Sequence, residues 1–525
     1  MTSEPTVRSE PLGGPPLTRA LLDGSAGSDW TVASPGTIAG WSRRATEVAE
    51  RFTGQDWLRG LLPALSPTGE AAARLERVAA SGGVVVTTGQ QPGLFGGPIY
   101  TWSKALSAVA LADAIESATG IATAPVFWAA TDDSDFAEAS RTIVAVPGGV
   151  EVLELPRPAD GPERMLAEIP LPDVAPMLDA LRRGAGAAAH AEVIETARRC
   201  YATGTTIGEA YVALLRGILE PLGIAVLDAA HPAVGAAMHP LLREALLRAD
   251  DIAAAVAARD AAIRQRHFEP QVHAVAGLSL VFRRFEGSRE RVPIATAREI
   301  ADRDAGLGPN VLLRPVAESA ILPTVAYAAG PGELAYFAQV TAVASALERP
   351  APLAVPRWSG TILEYHVTRI LERYDLAPEA LRDPHAAETA LARTALPRAV
   401  SASLETFRRA VDQLAQELRQ TEARDDARLL PDAVIEGHRR SLLHRVERLE
   451  RRALAAVKRR QEAVARDLAT ARGALYPHGE RQERALNLLP LLARHGPLLL
   501  ERMRERAREH ADALVEGDPA LVIAR

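Results

Sequence analysis

A single cysteine, Cys200, stands among 525 residues. It cannot build an intramolecular disulfide framework, leaves no thiol cluster for zinc, and fits a reducing cytoplasm. No run of 18 uninterrupted apolar residues is present, so no segment has the composition of a membrane-spanning helix. The first 34 residues are rich in Pro, Gly and Ser and hold no apolar core of signal-peptide length. A cytoplasmic location without a membrane partner is therefore expected. Basic excess is lacking too: the formal charge is −6, which argues against nucleic acid as a partner. The 12 histidines show no metal-ligand spacing, and His438 and His444, six apart, fall on different faces of a helix. Cys200 has no histidine near it in sequence and is a poor nucleophile candidate.

What is present is length and ordinary composition, with 47% hydrophobic and 24% charged residues, enough for a large core and about three domains. The most informative stretch is 84–136. Val84, Val85, Val86 and Thr87 form a β-branched run that stops at the turn Thr88-Gly89-Gln90-Gln91-Pro92-Gly93. A helix is predicted from Pro98, with Ile99, Trp102, Leu106 and Val109 at three- and four-residue spacing. The apolar strand at 125–130 then runs into Thr131-Asp132-Asp133-Ser134-Asp135. This is a βαβ unit with both polar loops at strand carboxyl ends, where open parallel sheets bind ligands.

Further on, the pattern predicts one or two strands over 141–155, helices over 178–219, a buried strand over 223–228, a long helix over 240–265 and a hairpin over 271–295 around Gly287. Short strands follow at 311–314 and 324–328, then a helix over 333–347 and a last strand at 353–356. In the C-terminal third, Leu404, Phe407, Val411, Leu414 and Leu418 alternate spacings of three and four. Leu442, Val446, Leu449, Ala453 and Ala456 do so after the break at Leu430-Pro431. That is a heptad seam on each side of a turn, to be covered by the other arm, another subunit, or both. The expected fold class is α/β, a parallel-sheet core with an α-helical arm. Its expected parts are a flexible segment over 1–34, a core over 35–395 with insertions at about 141–222 and 266–305, an antiparallel coiled-coil hairpin over 396–475, and a helical segment over 476–525 that returns to the core. Residues 439–460 carry nine basic and two acidic side chains, a solvated face or a patch for phosphate or an acidic partner.

The strings TGQQPGLFGGPIYTWSKAL and APVFWAATDDSDF, followed by HFEPQVH, NVLLRPV, LPTVAYAAGPGELAYFAQ and ERQERALNLLPLLARHGP, resemble in their order the bacillithiol-biosynthesis cysteine-adding enzymes. The resemblance runs over residues 88–497. It implies a Rossmann-like catalytic core laid out like nucleotidylyl transferases and class I aminoacyl-tRNA synthetases, and a coiled-coil arm that makes a homodimer. It also implies addition of L-cysteine to glucosaminyl-malate, the last step of bacillithiol biosynthesis. The synthetase signatures HIGH and KMSKS are absent, which argues against tRNA charging. Where the family has Glu-Asp-His-Asp, this chain has Asp132-Asp133-Ser134-Asp135, so no role of that histidine is carried onto Ser134.

Joining an amine to a carboxylate requires the carboxylate to be made reactive, by phosphoryl or adenylyl transfer from ATP, the expected co-substrate. Thr88, Gly89, Gln90, Gln91, Gly93, Gly97 and Tyr100 would form a substrate- or nucleotide-binding loop. Helix-start N–H groups there would favour an anion that Lys104 could reach. The alternative is a turn packed for shape, with Lys104 solvated. Asp132, Asp133 and Asp135 would hold Mg²⁺ or the substrate amine, or supply a base, unless they cap the next element. Gly330, Gly332 and Glu333, with Tyr336 and Gln339 on the same helix face, would complete the pocket, and Asn310, Arg314 and Arg357 would recognise anions. The competing readings are another nucleotide-dependent ligase or transferase on the same core, and a coiled-coil binding protein without catalysis.

Overall fold

This computed structural model describes residues 4–27, 29–52, 54–158, 164–285, 288–303, 306–423 and 429–518. They divide into two units: Met1–Val144 with Glu151–Glu364 and Gln482–Arg525, and Ala145–Val150 with Tyr365–Arg481. Among the described residues no helix is long and apolar enough to cross a membrane.

Unit 1 is Rossmann-like. Its sheet has five parallel strands in the order β11 (Ala354–Pro356), β10 (Thr324–Ala329), β2 (Val84–Gln90), β3 (Thr123–Ala129) and β6 (Ala225–Asp228). All of β3 and all of β2 except Gln90 are buried, as expected where helices cover both faces. The helix Ile99–Thr119 after β2 is buried around most of its circumference, between the sheet and the helix Pro497–Glu516. Because β3 and β6 lie on one side of β2 and β10 and β11 on the other, the winding reverses between β2 and β10. Such a reversal opens a crevice at the carboxyl ends of the strands.

Smaller sheets complete the strand inventory of the described residues. β1 (Thr6–Ser9) pairs antiparallel with β12 (Gly360–Leu363), and β4 (Arg141–Val146) with β5 (Gly149–Glu154) makes a ribbon. β7 (Leu278–Phe285), β8 (Ser288–Pro293) and β9 (Leu307–Pro309) form an antiparallel sheet with β7 in the middle. Gly287, the expected hairpin centre, lies outside the described residues.

Three sequence expectations change in unit 1. The described part of the N-terminal segment, expected to be flexible, is built into the fold. Leu17, Ala20 and Trp30 close an apolar cluster with Ile263, Ala335 and Ala338, and the Thr18 hydroxyl donates to the Pro331 carbonyl at 2.6 Å. The helix expected over 240–265 is two helices, Pro232–Leu247 and Ala249–Gln265, broken at Arg248. The strand expected at 311–314 is a turn leading into the helix Arg314–Ile321. There Asn310 Oδ1 accepts the N–H groups of Leu312 (3.1 Å) and Leu313 (3.0 Å), which a strand ladder would have needed.

Unit 2 contains the helical hairpin. Helices Arg398–Glu422 and Asp432–Arg460 run antiparallel, with cross-arm pairs Arg408–Glu450, Arg419–Glu436 and Asp412–Arg439 (2.7 Å). Unit 2 also takes in the chain from Tyr365 up to the hairpin expected over 396–475, and there Ala392 and Leu396 pack on Leu454. The heptad seam is half covered. Val411 and Val446 are buried and Leu404, Ala453 and Ala456 half-buried, whereas Phe407, Leu414 and Leu449 are 53%, 64% and 52% exposed.

Candidate active site

Lys104 and Glu333 meet across the winding reversal. Lys104 comes from the helix after β2 and Glu333 from the helix Pro331–Ala346 after β10. Lys104 Nζ lies 2.6 Å from Glu333 Oε2, with the two side chains 5% and 15% exposed. Nζ also donates to the Gly89 carbonyl (2.8 Å) and to Gln90 Oε1 (2.9 Å), so all three of its N–H bonds are engaged. Glu333 accepts in addition from the Gly330 N–H (2.7 Å) and the Tyr327 hydroxyl (2.6 Å). Arg314 extends the network to the hydroxyls of Tyr327 (3.3 Å) and Tyr336 (3.2 Å) and to Glu318 (2.8 Å). Burial pulls the Lys104 pKa down and Glu333 opposes it. Burial also pushes the Glu333 carboxyl up, but the Lys104 charge together with the hydrogen bonds from Lys104, Tyr327 and the Gly330 N–H outweighs that and holds it below its ordinary range. Lys104 thus ties two loops together, and its side chain also lines the cavity above them.

Above this network lies a cavity of about 650 Å³. Gly89, Gln90 and Gln91 reach it from the end of β2, and Asp132, Asp133 and Ser134 from the end of β3. Asn310, Arg314, Gly332, Glu333 and Tyr336 close the other side. The amide cluster and the aspartate cluster thus share one rim of the sheet, because β2 and β3 are parallel with Gln90 level with Ala129.

The three aspartates have different partners, and two of them, Asp132 and Asp133, line the cavity. Asp133 Oδ1 accepts the N–H groups of Ser134 (2.6 Å) and Asp135 (3.1 Å), turning the loop back on itself. Asp135 caps the short helix Phe136–Ala139 through the Glu138 N–H (3.1 Å) and does not line the cavity. Asp132 faces Arg289 at 3.8 Å, and burial pushes its carboxyl above the ordinary range, with Arg289 partly opposing. Among the described residues, no three His, Cys, Asp or Glu side chains are placed to hold a metal ion.

The rest of the glycine loop is held in place by its own contacts. Thr88 Oγ1 donates to the Ala328 carbonyl (2.8 Å) and fastens β2 to β10. The N–H groups of Gly96, Gly97 and Ile99 are engaged by the carbonyls of Gly93, Leu94 and Leu486 at 3.0, 3.2 and 2.9 Å, so these three donors are spent within the scaffold rather than offered to an anion. A Cβ on Gly93 would come within 2.6 Å of Gly97 Cα, and Gly97 has φ +73°. Asn487 Nδ2 holds the turn by the Phe95 carbonyl (3.0 Å), with Leu94 and Gly97 nearby. The Tyr100 hydroxyl turns to Glu138 (3.1 Å).

Arg357 and Gln339 do not line this cavity. Arg357 is buried in a two-point pair with Glu483 (2.9 Å each). Gln339 clamps the Val272 backbone (3.1 and 2.7 Å) and donates to Asp260 (2.8 Å). Sequence reasoning missed Glu138, which accepts from Gln90 (3.0 Å) and Gln91, and missed Arg289 and Arg291. Those arginines line the cavity from β8, over the Phe282 ring at 4.0 and 5.4 Å. Their alternation around Glu290 was the available signal, since it places both on one strand face.

The N-terminal Rossmann-like domain of bacillithiol biosynthesis BshC matches residues 39–358, and the C-terminal coiled-coil domain of BshC matches residues 360–513. The chain belongs to the BshC family. Relatives named "Putative cysteine ligase BshC" include one from Solibacter usitatus, 34% identical over 83% of this chain and 84% of its own length. Another, from Thermus thermophilus, is 32% identical over 89% and 93%, and one from Koribacter versatilis is 31% identical over 84% and 85%.

Breaking the central pair should be costly in a specific way. Lys104→Met strands a buried carboxylate and should lower the unfolding free energy by about 3–5 kcal/mol in urea titration, while adding Glu333→Leu should recover part of that loss. The Glu333 carboxyl sits below its ordinary value of 4.5. The pair's stabilisation should therefore be complete above that pH and fade as the pH falls through the folded-state value. Asp135→Ala should lose about 1 kcal/mol of stability and keep activity.

Proposed function

We propose that this ligase joins L-cysteine to glucosaminyl-malate through an amide bond, with ATP as co-substrate. The supporting observation is the shared cavity, in which Gln90 and Gln91 from β2 and Asp132 from β3 face arginines of an inserted ribbon. ATP supplies the group that turns the cysteine carboxylate into an acylating agent. The cavity, at about 650 Å³, has the volume of a small-molecule site. Gln90 and Gln91 orient the reactants, and Arg289 and Arg291 hold anionic groups over Phe282. Asp132 takes the proton that the sugar amine loses as it attacks, a role suited to a carboxyl whose pKa burial has raised toward the working pH. The split aspartates form no cage, so Mg²⁺ would enter as the counter-ion of the nucleotide phosphates rather than as a protein-bound ion.

The exposed half of the heptad seam supports a homodimer through the arm: Phe407, Leu414, Leu442 and Leu449 are apolar and uncovered within unit 2. Leu414→Glu with Leu449→Glu should convert a dimer to a monomer in light scattering. A monomeric wild type, or an unchanged mass in the variant, contradicts this assignment.

Purified protein with ATP, Mg²⁺, cysteine and glucosaminyl-malate should release the cysteinyl amide, seen by mass spectrometry, and absence of that product overturns the reading. Release of ADP or of AMP tells phosphoryl from adenylyl activation. Asp132→Asn should lower kcat by about 10²–10⁴-fold with the fold intact. The acid limb of kcat/KM should lie above 3.8, the ordinary aspartate value. Since the Arg289 charge holds the Asp132 pKa down, Arg289→Gln should move that limb to higher pH.

A further inference from the structure

Behind the Asp132–Arg289 pair lies a second cavity of about 690 Å³. It shares Asp132, Phe282 and Arg289 with the first, so the two chambers meet at the carboxyl assigned to proton transfer. Its described lining is mostly cationic. Arg283, Arg284 and Arg289 of the β7–β8 ribbon, His231 at the start of the neighbouring helix and His239 within it line it; Arg283 pairs with Glu290 at 3.6 Å, and Asp132, the one carboxylate among the described lining residues, faces Arg289. The Arg284 guanidinium makes no hydrogen bond or ion pair with the described residues, and a Cβ on Gly306 would press its stem at 3.3 Å, so that glycine makes room for it. His231 Nδ1 accepts the Ala233 N–H at 3.1 Å, which leaves Nε2–H as the donor of the neutral ring. The helix Pro232–Leu247 begins at this wall, adding its positive end to charges the cavity already carries.

We propose that the second chamber is an anion pocket that takes the polyanionic tail of a substrate whose reacting end lies beside Asp132. The inference rests on reading the first cavity as the ligase site. Two closely spaced anionic groups fit the lining, and two substrates of the proposed reaction carry such a tail: the dicarboxylate of the malyl group and the phosphates of the nucleotide. The pocket would set the distance between that tail and the reacting atom, so substrates lacking it should react poorly for lack of orientation.

Calorimetry with malate and with inorganic pyrophosphate, each added alone, tests the pocket without requiring turnover, so a failed ligase assay and a failed pocket are told apart. Arg284→Gln removes an exposed charge. Gly235→Glu, at a helix position where a Cβ meets open space, places a carboxylate in the same wall near a helix start that favours it. Both variants should fold, as circular dichroism would confirm, and both should weaken binding of one of the two anions by about tenfold or more. Weakened malate binding assigns the pocket to the malyl group, and weakened pyrophosphate binding assigns it to the nucleotide. Binding of neither anion to the wild type, or affinities unchanged in both variants, overturns the proposal.

Discussion

The buried ion pair between Lys104 and Glu333 closes the point where the sheet reverses its winding, and the shape of the cavity follows from it. Two loops leave the sheet there on different courses, and a charge on either one alone would face a large desolvation penalty. Together, with the Gly89 carbonyl, Gln90, Gly330 and Tyr327 completing their hydrogen bonds, they form a fixed strut. The strut also orients the site. Because Lys104 takes the Gln90 side-chain oxygen, the Gln90 amide nitrogen is turned toward Glu138 and the Tyr100 hydroxyl. A buried charge pair thus determines which face of a surface amide the cavity sees.

Chemistry and support are divided between elements. The parallel sheet contributes Asp132 and the two glutamines, while the cationic side comes from β8, part of an inserted ribbon far from them in sequence. Gln482, Glu483 and Asn487 of the C-terminal segment carry the scaffold. Gln482 clamps both backbone groups of Ile362 (2.7 and 2.9 Å), Glu483 neutralises Arg357, and Asn487 holds the glycine turn. That explains why a polar string so near the C-terminus belongs to the core of unit 1 and not to the arm.

The strand–helix–strand frame was legible because its signals are local: the β-branched run ending at Gln90, the proline before Ile99, and a second apolar run ending in aspartates. Parallel pairing then requires both polar ends to share a rim, so that part of the site could be read from sequence as well. Individual roles could not. Lys104, Gln339 and Arg357 look like ligand contacts in a linear string, yet each is engaged by a partner 67 to 229 positions away: Glu333, Val272 with Asp260, and Glu483. Asp133 and Asp135 were ambiguous for the opposite reason, since their partners are their own neighbours' N–H groups, and a capping carboxylate and a catalytic one share the same letter. The N-terminal segment misled through composition: Pro and Gly suggested freedom, while Leu17 and Trp30 provided the anchor.

The most direct measurement of the central claim is a crystal structure with cysteine, glucosaminyl-malate and a non-reactive ATP analogue bound. The account predicts the sugar nitrogen within hydrogen-bond distance of Asp132, with Gln90 or Gln91 contacting the same ligands at the carboxyl edge of β2 and β3. Ligands seated elsewhere, with Asp132 still facing Arg289 and the cavity filled by solvent, would contradict it.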